Sequence, residues 1–583
     1  MGLSKAFHLL FPTVCICLAA GLFLVLSQHI TIPIVVWLAP NTETLFYDWG
    51  AFGAYKTQSY VSFDLRSPQT NILQWEDSCS LGQVFLTING PSVADNAPMI
   101  LDGNGELIWM SREFPTTMNL KIQRYRGQDY LTFWAGKKAK TSGQGEYFML
   151  DSNYRVAHKL NAVGDGLKAD LHEFKITLDD TALFTVYNTT NRDLSPLGMF
   201  LGKNSWIVDN IFQEIDIVTG ELLFEWRASD HFAPEGTFMT NPFGGYSEKI
   251  PFDVFHLNSV EKDSRGNFLV SARHLHTVFY VDGRCGDVLW KFGGRSSDFH
   301  DLSLGRASDF KWQHDVRWIS EEQNIISLFD NGIAWPHMDA PHSSGRIIQL
   351  DTESFTAHLL HSFTSLQHAR SSSQGSLQLL HAADGEPHIF IGWGSSAAYT
   401  EHALDGQLLC ETHFGASAFW FWERVKSYRA FKSSGWISIP EDWSPNAQID
   451  GNQLCVSWNG ATEVSSWELQ GTRSHNIYNE TLFETIDGFR KERFEECFEL
   501  PLDSEYRQFR VAALDHAGAI LRCSNVVNSS FVDKRPYILA AVAAASCICV
   551  IFGLWAFRRR GLYWRRRASS LPTIDRGKYG KLR

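Results

Sequence analysis

The sequence has no CxxC pair, and its one glycine-rich run with polar follow-up, GGRSSD from Gly293, has no Lys-Ser/Thr signature on a following helix. The first absence argues against a zinc ribbon or a thioredoxin-like redox centre, and the second against a nucleotide phosphate cradle. Sustained 3.6-residue periodicities are few, which argues against a helical bundle. Outside one segment, negative charge outweighs positive. The net charge is −12, yet residues 558–583 hold ten basic groups against one Asp, so the remaining chain carries −21. An acidic body of that size is repelled by phosphate backbones, which excludes nucleic acid as a partner.

What the chain has in quantity is aromatic and glycine residues: 41 Phe, 20 Trp and 44 Gly among 583 residues. That mixture favours strands joined by tight turns. Two long apolar runs stand apart. Residues 537–557 are uncharged and long enough to cross about 30 Å of hydrocarbon as a helix, and the arginines that follow place the C-terminal tail, 558–583, in the cytosol. Near the start, residues 9–26 are apolar behind Lys5, with small-residue cleavage geometry at Val25 to Ser27, so 1–27 reads as a signal peptide or signal-anchor. The middle of the chain is then expected outside the cytosol. Cys79, Cys285, Cys410, Cys455, Cys497 and Cys523 lie there, where disulfides are favoured, and the sequons at Asn188, Asn479 and Asn528 suit the same compartment.

A strand-turn-strand element recurs six times, each with an Asp at the turn: ILDGNGELIW from Ile100, then copies around Asp151, Asp216, Asp282, Asp351 and Asp405. The turn is hairpin chemistry, and the spacings of 49, 65, 66, 69 and 54 residues fit four-stranded blades with insertions. The expected fold is all-β, a six-bladed β-propeller over residues 45–440. A stacked β-solenoid is the rival and has a shorter, more regular period. Residues 441–532 alternate like sandwich strands and resemble a fibronectin-type module, a small β-sandwich before the membrane helix.

Upstream of three of the Asp turns lies a second repeated element containing a histidine: His172 in LHEFKITLDDTALFT, His256 in FHLNSVEKDSRGNFLV and His314 in QHDVRWISEEQNIISLF. Equivalent positions of a propeller meet at one mouth of its channel, so three imidazoles are expected to cluster. Asn258 follows His256 by two residues and is expected on the same strand face, and Arg273 belongs to the following strand. Guanidinium, amide and imidazoles together suit a tetrahedral oxyanion, and a neutral His can attack its central atom. His274, His276 and Asp315 are weaker candidates. The same histidines could hold zinc or copper, although Arg273 would repel a dication, and a non-catalytic receptor or interaction propeller is a third possibility.

At residues 253–294 (DVFHLNSVEKDSRGNFLVSARHLHTVFYVDGRCGDVLWKFGG) and 309–332 (DFKWQHDVRWISEEQNIISLFDNG) the chain resembles the arylsulfate sulfotransferase family, in its eukaryotic membrane-linked branch. Weaker similarity extends over about residues 45–440. The resemblance implies a six-bladed propeller that moves a sulfuryl group from an aryl sulfate to a phenol through a sulfohistidine, with neither nucleotide donor nor other cofactor nor metal. It implies His314 as nucleophile, Arg273 and Asn258 as sulfuryl-binding groups, and His172 and His256 as catalytic groups handling protons.

Overall fold

The computed structural model describes residues 42–528, together with 27, 32 and 39, and excepting 115, 139–141, 199–201, 241–243, 382–384, 475–481 and 501–504. The described chain is all-β, as expected. Its helices are short, starting with α1 (Glu43–Asp48), and none among the described residues is long and apolar enough to cross a membrane. The apolar runs at 9–26 and 537–557, the basic tail and the sequon at Asn479 lie outside the described residues.

Residues 83–433 form six antiparallel units of four main strands each, and one first strand of every unit faces the first strands of its two neighbours. These inner strands are β1 (Thr117–Tyr125), β2 (Ala169–Ile176), β3 (Leu257–Lys262), β4 (His314–Ser320), β5 (Ser376–His381) and β6 (Lys426–Ser433). The neighbour relations run from β1 through β6 and back to β1, which makes a closed, propeller-like ring. Closure uses both ends of the chain: β6 pairs with Gln83–Asn89, so the last strand completes the first unit. The strand Asn71–Trp75 adds to the outer edge of the β5 unit, where the Cys79–Cys410 disulfide ties it down.

The six Asp residues singled out by the repeat occupy the same turn of the six units, between the third and fourth strands. In each, the carboxylate accepts backbone N–H groups of the turn: Asn104 and Glu106 on Asp102, Asn153 and Arg155 on Asp151, Val218 on Asp216, Arg284 on Asp282, Glu353 on Asp351, Gln407 on Asp405. A carboxylate one or two residues ahead of a turn satisfies donors that the hairpin leaves free, which is why the same residue type recurs.

After the ring, two further sheets enclose a core that includes Leu454, Trp458, Trp467, Leu469, Phe498, Phe509 and Val511. Cys455–Cys497 bridges directly paired strands of the three-stranded sheet. This unit leans on the ring: Asn459 exchanges two hydrogen bonds with the backbone of Met110, at 3.0 and 3.1 Å, and the Tyr154 hydroxyl donates to the Gly460 carbonyl at 2.9 Å. Asn188 is half-buried in the strand Thr181–Arg192 and Asn528 lies in the last described strand.

Candidate active site

The three histidines of the repeat lie towards one end of neighbouring inner strands, and all are buried. His314 is the first residue of β4. Its Nδ1 lies 2.7 Å from Asn331 Oδ1, and the Asn331 amide is itself fixed, donating to the carbonyls of Ser371 and Gln374 at 2.9 and 3.0 Å. The amide oxygen must therefore accept, which puts the imidazole proton on Nδ1 and leaves the lone pair on Nε2. Nε2 accepts the Gln374 backbone N–H at 3.2 Å.

His172, within β2, pairs Nδ1 with Asp170 at 2.5 Å, stacks on Tyr187, and meets the His256 ring edge-on at a centroid distance of 4.7 Å. His256 immediately precedes β3 and pairs Nδ1 with Asp253 at 2.6 Å. Its φ of 55° is a left-handed conformation, so the two-residue alternation expected between it and Asn258 is broken at the strand entrance. Asn258 is fully buried and donates to the Gln313 carbonyl at 2.6 Å, joining β3 to the residue before His314, and its Oδ1 has no partner among the described residues. Arg273 lies one residue past the strand Phe268–Ala272, in a tight turn rather than in the strand. It donates to His274 Nε2 at 3.0 Å and to the Ser372 carbonyl at 2.9 Å, while its Nε finds no acceptor. His274, in the same turn, stacks on His256 at 4.5 Å. Tyr428 makes T-shaped ring contacts with both His172 and His314, and its buried hydroxyl has no partner among the described residues. Asp253 Oδ1 and the side-chain oxygens of Gln313 and Gln374 are likewise without a hydrogen-bond partner among the described residues, so unpaired polar groups collect around the histidines.

The family model that describes arylsulfotransferases matches residues 121–415, a stretch that contains His172, His256, Asn258, Arg273 and His314. The chain belongs to the arylsulfotransferase family. No curated protein matches it. Among solved structures, one of unknown function from Bacteroides caccae is 12% identical over 60% of this chain and 99% of its own, with a TM-score of 0.33. The periplasmic gluconolactonase of Pseudomonas aeruginosa is 11% identical over 77% and 96%, with a TM-score of 0.31. Both likenesses are too loose to inform the site.

The electrostatics keep His314, His256 and His274 neutral. Burial, reinforced by the Arg273 guanidinium, holds His314 well below its ordinary pKa. Burial, then His172 and Arg273, does the same for His256, and burial outweighs Asp253 at His274. His276, buried beside Trp312, is pushed down to about 3. Each of these groups is neutral in the fold but takes up a proton when the chain unfolds below about pH 6.5, so each costs about 1.4 kcal/mol of stability per pH unit below that value. His413 has the opposite sign: although burial lowers it, Asp48 and Glu411 on its two nitrogens raise it overall, and its contribution is present below pH 6.5. His402, pushed down to about 4 by burial, and His158 share the first sign, so six groups against one predict that the thermal unfolding midpoint falls steeply between pH 7 and 5. Calorimetry giving a flat or rising midpoint would contradict neutral burial of the cluster.

Several residues of the site escaped the sequence reading. Asp170 and Asp253 precede their histidines by two and three residues, and Asn331 follows His314 by seventeen. His274, a weak candidate by strand alternation, joins the cluster because the strand has already ended. Asp315 binds Arg317 and Arg429 rather than His314. Asp253, His256 and His274 also offer three metal-ligating atoms within 4.8 Å of one another, but the Arg273 guanidinium lies against the His274 ring, 3.0 Å from its Nε2, and disfavours a dication there.

Proposed function

We propose that this chain is an arylsulfate sulfotransferase: a six-bladed propeller (45–440) carrying the reaction, a fibronectin-type sandwich (441–532), an N-terminal signal or signal-anchor and a membrane helix at 537–557, with the catalytic body outside the cytosol. The reading follows the resemblance to the eukaryotic membrane-linked branch. Its chief support is the His314 tautomer, a neutral ring whose Nδ1 proton is committed to Asn331 and whose Nε2 carries the lone pair, engaged only by the Gln374 N–H that an incoming sulfuryl group would take over.

In the proposed first step the Nε2 lone pair attacks the sulfur of an aryl sulfate. The sulfur–oxygen bond to the aryl group breaks, and the phenolate oxygen keeps the electron pair and takes a proton. His172 supplies it, because burial, His172 itself and Arg273 all oppose a proton on His256. In the second step an acceptor phenol returns a proton to His172, its oxygen attacks sulfur, and the nitrogen–sulfur bond breaks back to the Nε2 lone pair. The orphaned Arg273 Nε and the Gln374 N–H are suited to the sulfuryl oxygens. Asn258 contributes through a second amide hydrogen, since the first is held by Gln313.

Intact-protein mass spectrometry after brief exposure to an aryl sulfate is expected to find one added sulfuryl group on the wild type, lost on adding phenol. An unmodified wild type across several aryl sulfates would overturn the mechanism. The second reading, a metal centre on Asp253, His256 and His274, predicts stoichiometric metal in the purified protein, with activity lost on chelation and restored by the ion.

A further inference from the structure

The histidine mouth is bordered by large aromatic side chains left in solvent. Trp335, on the hairpin formed by Ile333–Ala334 and His337–Met338, is 68% exposed. Phe421 and Trp422, at the end of the short helix Ser417–Trp422, are 68% and 62% exposed, and Trp49, just after α1, is 65% exposed. They make one patch. The Trp335 and Phe421 rings are 5.6 Å apart, Phe421 and Trp422 are also 5.6 Å apart, and Phe419 lies 6.3 Å from Trp422. Phe419 in turn closes on Gly50, where a Cβ would stand 2.3 Å from its ring, so the α1 end of the patch abuts the helix end.

The patch is joined to the site on two sides. Trp312, whose ring lies 5.4 Å from the Arg273 guanidinium, stacks on His337 of the hairpin and donates to Asp339 at 2.7 Å. Glu423, next to Trp422, accepts from the Ser372 hydroxyl at 2.5 Å, and the Ser372 carbonyl accepts from Arg273.

Single exposed aromatics are ordinary, whereas a contiguous set at the mouth of a site marks an interaction surface. The sequence indicates its occupant. The apolar run at 30–39 ends just before α1, which carries the exposed Leu45 and leads directly to Trp49. An apolar run feeding a surface of Trp and Phe is the chemistry of the bilayer headgroup region, where indole is favoured. We propose that this rim seats on a lipid bilayer, so that the site opens at the membrane surface and takes its acceptor, a phenol with an apolar tail, from the lipid. The acceptor part rests on the transferase reading; the lipid contact does not.

The test uses the full chain in phosphatidylcholine nanodiscs, with the photo-crosslinking residue p-benzoylphenylalanine in place of Phe421 or, as a control, of Leu178. Leu178 is 81% exposed in the turn following β2, at the other end of the channel. Irradiation is expected to give a phosphatidylcholine adduct at 421 and none at 178. No lipid adduct at 421, equal yields at both positions, or a protein adduct at 421 instead would overturn the lipid contact, whether or not the chain transfers sulfuryl groups. For the acceptor, the double variant Trp335→Ser, Trp422→Ser is expected to raise KM for nonylphenol about tenfold while leaving kcat and the KM for phenol unchanged. An equal effect on both phenols would overturn the acceptor assignment.

Discussion

His314→Ala is expected to lower sulfuryl transfer by at least about 10⁴-fold, because it removes the atom proposed to carry the covalent intermediate and leaves only binding and charge stabilisation. The informative comparison is with Asn331. Asn331→Ala leaves Nδ1 only the longer contact to the Trp312 carbonyl, at 3.2 Å, and so weakens the hold on ring tautomer and orientation; a smaller loss of about 10²-fold is expected, in kcat rather than KM. Asn331→Asp keeps an acceptor on Nδ1–H and thus the productive tautomer, but its negative charge favours the imidazolium. The acid limb of the pH–rate profile should then move upward, with activity restored at high pH. Steady-state assays across pH 5–9 with an aryl sulfate and phenol would measure all three. Equal losses for Asn331→Ala and Asn331→Asp at every pH would mean that Asn331 merely holds the fold.

Glu173→Ala is expected to reduce the unfolding free energy by about 3–5 kcal/mol, the cost of stranding buried cations. Beneath the histidines the channel is filled by charge. Glu173 pairs with Lys121 at 3.3 Å, with Arg429 at 3.2 Å and with Arg317, while Asp315 pairs with Arg317 at 2.8 Å and with Arg429 at 3.3 Å. Burial opposes ionisation of Glu173, yet Arg317, Arg429 and Lys121 together hold it well below the usual carboxylate range. Burial lowers Lys121 to about 7, so near neutral pH the two arginines and the two carboxylates come close to balance without it. Lys121→Met should therefore cost far less than Glu173→Ala, and losing the exposed Arg155–Asp442 pair less still. Because Arg429 also donates to the Asn258 carbonyl at 2.8 Å, kcat should fall along with stability in Glu173→Ala. Denaturant unfolding that ranked Lys121→Met with Glu173→Ala would refute this charge balance.

The parts of this architecture written locally were legible in the sequence. Each Asp turn is a self-contained hairpin, so its six copies could be counted, and the three histidines stood out because each opens an apolar strand that leads into a polar turn and a second apolar strand. The strand entrances were not legible. His256 adopts a positive φ and Arg273 follows a strand end, and neither deviation alters the hydrophobic pattern from which strands are read. The residues that set protonation were hidden for a different reason. Asn331 reaches His314 from the neighbouring strand's end, and Glu173, Asp315, Arg317 and Arg429 come from three inner strands brought together only by the ring. The apolar runs were legible as composition, whereas the exposed rim became visible only once α1, the hairpin and the Ser417–Trp422 helix were seen side by side.

The pairing of β6 with Gln83–Asn89 has a consequence for how the molecule is made. During synthesis the first unit emerges lacking its innermost strand, and more than three hundred residues must follow before that strand exists. Until then the channel has an open wall, Arg429 has not arrived to neutralise Glu173, and Tyr428 is absent from beside His314. A chain interrupted between His314 and Lys426 would thus carry all three histidines without the strand that closes the ring around them, and the complete cluster is assembled only in molecules whose ring has been completed.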